Sequence, residues 1–279
     1  MSSILTNSAA MNALSTLRTI SGSLDETQGR ISTGLKVQSA KDNASYYTIS
    51  TTMSSESGMN KAINEGLTLS KNSVSTARLG AETMVDLAQQ FVDRLAFAQT
   101  EGVDQDDVQK ELDALAAQMT TAIEQSSFNG ENLISTAGAG AKTVVSGVSR
   151  DNAGALQTST ISFTAVDLEA QQALFDAIAI DNTTTAADLE TALTNAEGYL
   201  ATVTNAATDL GIGEKAIETQ QEFLSQLGDR LDSGVGSMID ADMESEAARL
   251  QSLQVQQQLA TQSLSIANQA PQNILSLFR

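Results

Sequence analysis

The stretch LETALTNAEGYLATVTNAATDLGIGEKAIETQQEFLSQLGDRLDSGVGSM, Leu189 to Met238, decides the fold. Its seam runs through Leu189, Leu193, Ala196, Leu200, Val203, Ala207, Leu210, Glu214, Ile217, Gln221, Leu224, Gly228, Leu231, Val235 and Met238, and every step is three or four residues. That alternation is the heptad seam of a helix lying along a partner helix. At 1.5 Å per residue, some fifty helical residues make a rod of roughly 75 Å. Glu214, Gln221 and Gly228 weaken the seam and predict loosening or bending there, Gly211-Ile-Gly213 predicts a soft point, and Gly234 with Gly236 predict the helix end. Thr185 and Asp188 open it in the pattern of a capping box.

A partner of similar length lies upstream. Ile63, Leu67, Ser70, Val74, Ala77, Ala81, Met84, Ala88, Phe91 and Leu95 step by four and three, predicting a helix over about residues 57–99 that ends near Gly102. Asp104, Asp106 and Asp107 suit the positive end of a further helix with the stripe Val108, Leu112, Leu115, Met119 and Ala122, ended by Asn129-Gly130. The texture changes over residues 130–184. Gly138 to Ala141 reads as loop, while Val144, Val145 and Val148, then alternating Thr158 to Val166 with Ile161 and Phe163 on one face, read as a β-hairpin with its turn at residues 151–154. A short helix is expected near residues 167–179.

Toward the two ends, Ile4, Met11, Leu14, Leu17, Ile20, Leu24, Ile31 and Leu35 form a helical stripe, broken over about residues 34–45 by Gly34 and the Ser39–Asn43 run. Asp240, Asp242, Glu244 and Glu246 begin a last helix reaching about Ala267, and Pro271 interrupts it before Ile274, Leu275, Leu277 and Phe278. The fold class is therefore mainly α: an elongated antiparallel helical bundle or coiled coil with a small β-hairpin tip and paired N- and C-terminal helices. The single Pro in 279 residues suits long helices.

Composition narrows the chemistry. There is no Cys and no His, which removes disulfides, thiolate ligands, the commonest zinc ligand and the Ser-His-Asp triad. With 15 basic and 34 acidic residues the net charge is −19, which repels nucleic acid. Residues 1–17 and 250–278 carry no charge at all, whereas residues 51–249 hold 10 basic and 31 acidic side chains. Uncharged amphipathic ends on a charged middle suit an assembly that buries those ends among copies, since buried charge is expensive. Short isolated helices are marginal in water, so a free chain is expected to keep its ends loosely ordered. Met1 to Leu17 lacks the basic start and apolar run of a secretory signal, and Gln251, Gln254, Gln256, Gln257 and Gln258 rule out a membrane span near the C-terminus.

Other motifs fail on spacing. Gly138-Ala-Gly140-Ala-Lys142-Thr143 lacks the Gly before Lys that a phosphate loop needs, because Ala141 and Thr136 occupy the required positions. Gly211-Ile-Gly213 lacks the preceding strand of a dinucleotide site. Asp104-Gln-Asp106-Asp107 lacks the Gly and distant Glu of a calcium loop and reads as helix capping. No cofactor, metal or catalytic residue is expected.

Two end motifs carry a resemblance. Leu14 to Leu24, Arg30-Ile-Ser-Thr-Gly-Leu-Lys-Val-Gln-Ser-Ala-Lys-Asp-Asn-Ala44, Phe128-Asn-Gly-Glu-Asn-Leu133 and Ala267-Asn-Gln-Ala-Pro-Gln-Asn-Ile-Leu-Ser-Leu-Phe-Arg279 resemble bacterial flagellin over about residues 1–135 and 185–279. The resemblance implies a structural filament subunit of the bacterial flagellum, of a short alphaproteobacterial kind without large outer domains. It implies an N-terminal inner-tube helix (1–44), outer-tube helices (45–129), a variable hairpin segment (130–184), a long outer-tube helix (185–237) and a C-terminal inner-tube helix (238–279). It also implies export through the flagellar type III apparatus without a cleaved signal, with an export chaperone as a further candidate partner, and growth beside hook-associated junction and cap proteins. The expected partner is the chain itself as a homopolymer outside the cell, with no nucleic acid and no membrane. The expected assembly interface is Ile4, Met11, Leu14, Leu17, Leu24, Ile31, Leu35, Leu253, Leu264, Ile266, Ile274, Leu275, Leu277 and Phe278.

One departure bears on an outside partner. Many flagellins are bound by a vertebrate Toll-like receptor through a helical Gln-Arg-Val-Arg-Glu-Leu motif, and the matching positions here are Gln90, Phe91, Val92, Asp93, Arg94 and Leu95. Phe91, Asp93 and Arg94 depart from it, so receptor recognition is expected to be weak or absent. The alternatives are a flagellin-like hook–filament junction protein, an enzyme hosted in residues 130–184, and an intracellular coiled-coil scaffold. The second lacks His, Cys and the length for a pocket.

Overall fold

The computed structural model describes residues 7–151 and 154–276, with side chains described as far as residue 269. In chain order the elements are α1 (Ser8–Thr33), α2 (Ala44–Phe97), α3 (Gln105–Gln125), β1 (Gly140–Arg150), β2 (Leu156–Ala165), α4 (Leu168–Asp176), α5 (Ala186–Ile239) and α6 (Met243–Ser276). The fold is mainly helical with one antiparallel two-strand sheet. Its contacts divide it into two units, Ser57–Asp229 and the pair of segments Met1–Glu56 with Arg230–Arg279.

The unit Ser57–Asp229 is built on heptads. On α2, Leu67, Val74, Ala81, Ala88 and Leu95 are buried at every seventh position, and Ala77, Met84 and Phe91 form a second buried row that Ala98 continues just past the helix end. On α5 the buried row is Leu189, Ala196, Val203, Leu210, Ile217 and Leu224, again every seventh residue. On α3 the buried face is Val108, Leu112, Ala116, Met119 and Ile123, so the expected Leu115 and Ala122 lie beside it, half-buried. Phe175 of α4 sits edge-on against both Phe91 (5.2 Å between ring centres) and Tyr199 (5.6 Å), tying α2, α4 and α5 together.

The polar positions of the long seam do not loosen it. Glu214 accepts from Arg78 Nε at 2.7 Å, and Gln221 donates to Thr68 Oγ1 at 2.8 Å, so each finds a partner across the α2–α5 pair. Gly213 is no soft point either. A Cβ there would stand 3.0 Å from the Cβ of Phe163, so the glycine is the landing place of β2 on α5. The hairpin is a bulged ladder whose register slips between Val145 and Gly147, leaving Ser146 extra, and its carbonyl takes Gln220 Nε2 at 2.8 Å.

Element ends differ from the sequence expectation. α2 begins at Ala44 rather than near residue 57, because Asn43 caps it: its Oδ1 accepts from Tyr46 N at 3.1 Å. α3 ends at Gln125, and Asn129-Gly130 instead makes its own tight turn, both residues at positive φ, with Phe128 and Glu131 exchanging backbone hydrogen bonds. Gly140 belongs to β1 rather than to a loop. Thr185 caps α5 as expected, its Oγ1 accepting from Asp188 N at 3.3 Å, but Asp188 Oδ2 accepts from that hydroxyl at 2.7 Å in place of the backbone N–H that completes a capping box.

In the other unit, α1 and α6 pack together. α1 stops at Gly34, whose left-handed backbone (φ 74°) lets its N–H reach the Arg30 carbonyl at 2.8 Å. The connecting loop is held by Asp42, whose Oδ2 accepts from Gln38 N at 3.1 Å and Ser39 N at 3.0 Å, which keeps that carboxyl below its ordinary pKa. Backbone bonds from Lys36 N to Ile239 O (2.7 Å) and from Ala241 N to Gly34 O (2.8 Å) join the loop to the end of α5. Gly234 and Gly236 do not break α5, which runs to Ile239. A Cβ on Gly234 would meet Met53 Cε at 2.8 Å, so that glycine answers to a close neighbour rather than to a turn. Pro271 likewise does not end α6, whose backbone continues to Ser276. A proline within a helix removes one hydrogen bond but need not terminate it when the chain beyond keeps helical geometry.

Candidate assembly surface

The α1–α6 pair is where the sequence places most of the assembly residues. Of these, Leu24 and Leu253 are buried within the unit. Leu17, Ile31, Leu35 and Leu264 are half-buried. Met11, Leu14 and Ile266 face outward, Met11 at 64% and Ile266 at 61% exposure. Ile4, Leu277 and Phe278 lie outside the described residues, as do the side chains of Ile274 and Leu275.

Sequence reading missed part of this surface. Val255 and Leu259 of α6 are also large, apolar and exposed, and with Ile266 they step by four and seven along one face. The same helical spacing that marked Leu253 and Leu264 would have found them on the adjoining face. Tyr46, Tyr47 and Ile49 stand exposed on the first turns of α2. They fall in residues 43–55, another stretch without charge.

Apart from Arg18, charge in the pair gathers at one end, over residues 25–30 of α1 and 244–249 of α6. Arg30 Nη1 of α1 reaches Glu246 Oε1 of α6 at 3.1 Å, with Glu26 on its other face. The bond to Glu246 and the nearby carboxylates hold the Arg30 proton more tightly than usual. At the other end, Asn7 caps α1 by accepting from Ala10 N at 3.1 Å, and its Nδ2 donates to the Ala267 carbonyl of α6 at 2.8 Å. Neither contact was read from the sequence, since nothing in the spacing says which residues face each other over 200 positions away.

The receptor-motif positions fall in the unit Ser57–Asp229. Phe91 and Leu95 are fully buried. Gln90, Asp93 and Arg94 line an open groove with Phe97, Glu111 and Gln118, and Arg94 Nε pairs with Glu111 Oε2 at 3.2 Å. Among the described residues no helix is long and apolar enough to cross a membrane.

Residues 4–139 match the bacterial flagellin N-terminal helical region, and residues 193–278 match the bacterial flagellin C-terminal helical region. Over the full length of both chains, this protein is 37% identical to flagellin C of Rhizobium meliloti strain 1021 and 39% identical to a flagellin of Brucella melitensis biotype 1. The solved structure of a Bacillus cereus flagellin overlaps 67% of this chain and 94% of its own, at 14% identity and a TM-score of 0.38. With both terminal regions matched in order and relatives aligned end to end, the chain belongs to the bacterial flagellin family.

Proposed function

We infer that the chain is a structural subunit of the bacterial flagellar filament, self-assembling outside the cell into a helical homopolymer. The observation that carries this reading is the outward apolar face of the terminal helices, Met11 and Leu14 on α1 with Val255, Leu259 and Ile266 on α6, in segments without charge. One copy leaves that face in water; neighbouring copies cover it. A contact of one face with a different face of the next copy, repeated by a rotation that does not close, generates a helical tube.

The inner tube is assigned to residues 1–44 and 238–279, and the outer tube to residues 45–129 and 185–237, with 130–184 as the variable segment. The role is structural rather than catalytic, as the flagellin relatives suggest. Hook-associated junction and cap proteins, the type III export apparatus and an export chaperone are its further partners, and export proceeds without cleavage of a signal.

Two tests follow. Purified monomer is added to short filament fragments and the products are imaged. The full chain is expected to extend them into long uniform tubes, and a chain lacking residues 268–279 to fail while its central helices persist by circular dichroism. Normal tubes from the truncated chain would sink the assignment. Recognition by the Toll-like receptor is weak or absent, a reading supported by Phe91, which is buried against Phe175 where the motif has an Arg. A cell reporter responding to this protein at the potency of a flagellin with the intact motif would refute it.

A further inference from the structure

A proline inside a helix leaves one carbonyl without its donor. Pro271 has no N–H, so the Ala267 carbonyl four residues earlier lacks the intrahelical bond that the rest of α6 supplies. That carbonyl is the one Asn7 Nδ2 reaches, at 2.8 Å, across 260 positions of chain. The same side chain turns its Oδ1 to Ala10 N and caps α1. One asparagine thus satisfies two orphaned backbone groups on two helices, an N–H left over by a helix start and a C=O left over by a proline.

The placement matters because the rest of the pair gives little to fix its register. Among the described residues, Arg30–Glu246 is the other side-chain hydrogen bond joining α1 to α6. The two latches lie 23 residues apart on α1 and 21 on α6, about 34 and 32 Å at 1.5 Å per residue. Between them the helices offer mostly Ala, Ser, Thr, Gln and Leu, which tolerate sliding by a turn, and the charged exceptions, Arg18, Asp25 and Glu26 on α1 and Arg249 on α6, form no side-chain hydrogen bond between the two helices among the described residues. A slip of one turn would move Met11, Leu14, Val255, Leu259 and Ile266 out of step with one another. We propose that Asn7 is a positioning residue for assembly: with the carbonyl freed by Pro271 it sets the axial register of the α1–α6 pair, and so the apolar pattern that neighbouring copies must match.

This role rests on the filament reading above, and the test separates the two. The critical concentration for seeded growth is measured for the unmodified chain, Asn7→Ser, Pro271→Ala and the double variant. Serine keeps the cap but cannot span to Ala267. Loss of one such hydrogen bond is expected to raise the critical concentration roughly fivefold for Asn7→Ser, or to stop growth. Alanine at 271 restores the missing N–H, so in that background the Asn7→Ser loss is expected to shrink to under about twofold, and growth to return where it had stopped. An equal loss in both backgrounds, or no loss in either, overturns the role of Asn7. If the unmodified chain forms no tubes, the filament reading and this role fall together; if it forms tubes and Asn7→Ser matches it, only this role falls.

Discussion

Gly80 of α2 meets the C-cap of α3 so closely that a Cβ would overlap the Ser126 hydroxyl and stand 3.0 Å from Ile134 Cδ1. The Ser126 Oγ is meanwhile committed to the Ala122 carbonyl at 2.6 Å, so it does not simply swing aside. Gly80→Ala is therefore expected to destabilise the unit Ser57–Asp229 by about 1–3 kcal/mol despite the higher helix propensity of alanine. Thermal unfolding checks this, and Gly80→Ala with Ser126→Gly should regain much of the loss. A rise in the unfolding midpoint for the single change would contradict the crossing. Spacing alone reads Gly80 as a mid-helix glycine and Gly213 as a soft point. Spacing gives the face a residue occupies, not what stands opposite it, and opposite Gly213 stands Phe163. Phe91, by contrast, was legible as a core position from its place in the seam, although its neighbour Phe175 was not.

At the scale of elements, the N-terminus of α3 holds the loop that precedes α5. Asn182 Nδ2 donates to Asp104 Oδ1 at 3.0 Å and to Asp106 Oδ2 at 2.9 Å, and its Oδ1 accepts from Gln105 N at 2.9 Å. Gln109 adds two bonds to the same loop, at Ile178 O and Ile180 N. The Asn182 amide, with the backbone N–H groups of Asp106 and Asp107, keeps the Asp104 carboxyl below its ordinary pKa. A carboxylate lowered in the folded state contributes stability above its unfolded pKa and loses it as the pH falls through the folded one. Acid should therefore loosen this docking only below the ordinary aspartate range. Carboxyl NMR titration checks it: Asp104 should titrate at higher pH in Asn182→Ala than in the unmodified chain, and an unchanged titration would remove Asn182 as the cause. The long heptads of α2 and α5 were readable because each buried row repeats every seven residues. The ends were less so. Asn43 capping α2 at Ala44 and the helical passage of Gly234 and Pro271 depend on neighbours such as Met53 and on local cap geometry.

For the whole molecule the charge is divided unevenly between the two units. Ser57–Asp229 holds 8 basic and 25 acidic residues, a net of −17, and the remaining segments carry 7 and 9, a net of −2. Nearly all the electrostatic repulsion between copies thus resides in one unit, and the other is left to apolar contact and a few polar latches. Filaments should stay dispersed near neutral pH and bundle side by side as the pH approaches about 4.1, where the net charge vanishes. Added salt at neutral pH should promote bundling in the same way by screening. Light scattering with electron microscopy distinguishes bundling from growth, and filaments that remain single at the isoelectric point would show that charge is not what separates them.

The bond from Asn7 to Ala267 spans almost the entire chain. A ribosome delivers α1 first and α6 last, so no nascent fragment can close this pair. Contacts of such sequence separation also carry the largest loop-closure entropy and form late in folding. A copy whose synthesis stops early, or whose tail is clipped by a protease, keeps an unpartnered α1 and lacks half of the face that neighbours must cover. A chain that cannot pair its two ends is therefore expected to stay out of the polymer, and the pairing would then serve as a proofreading step.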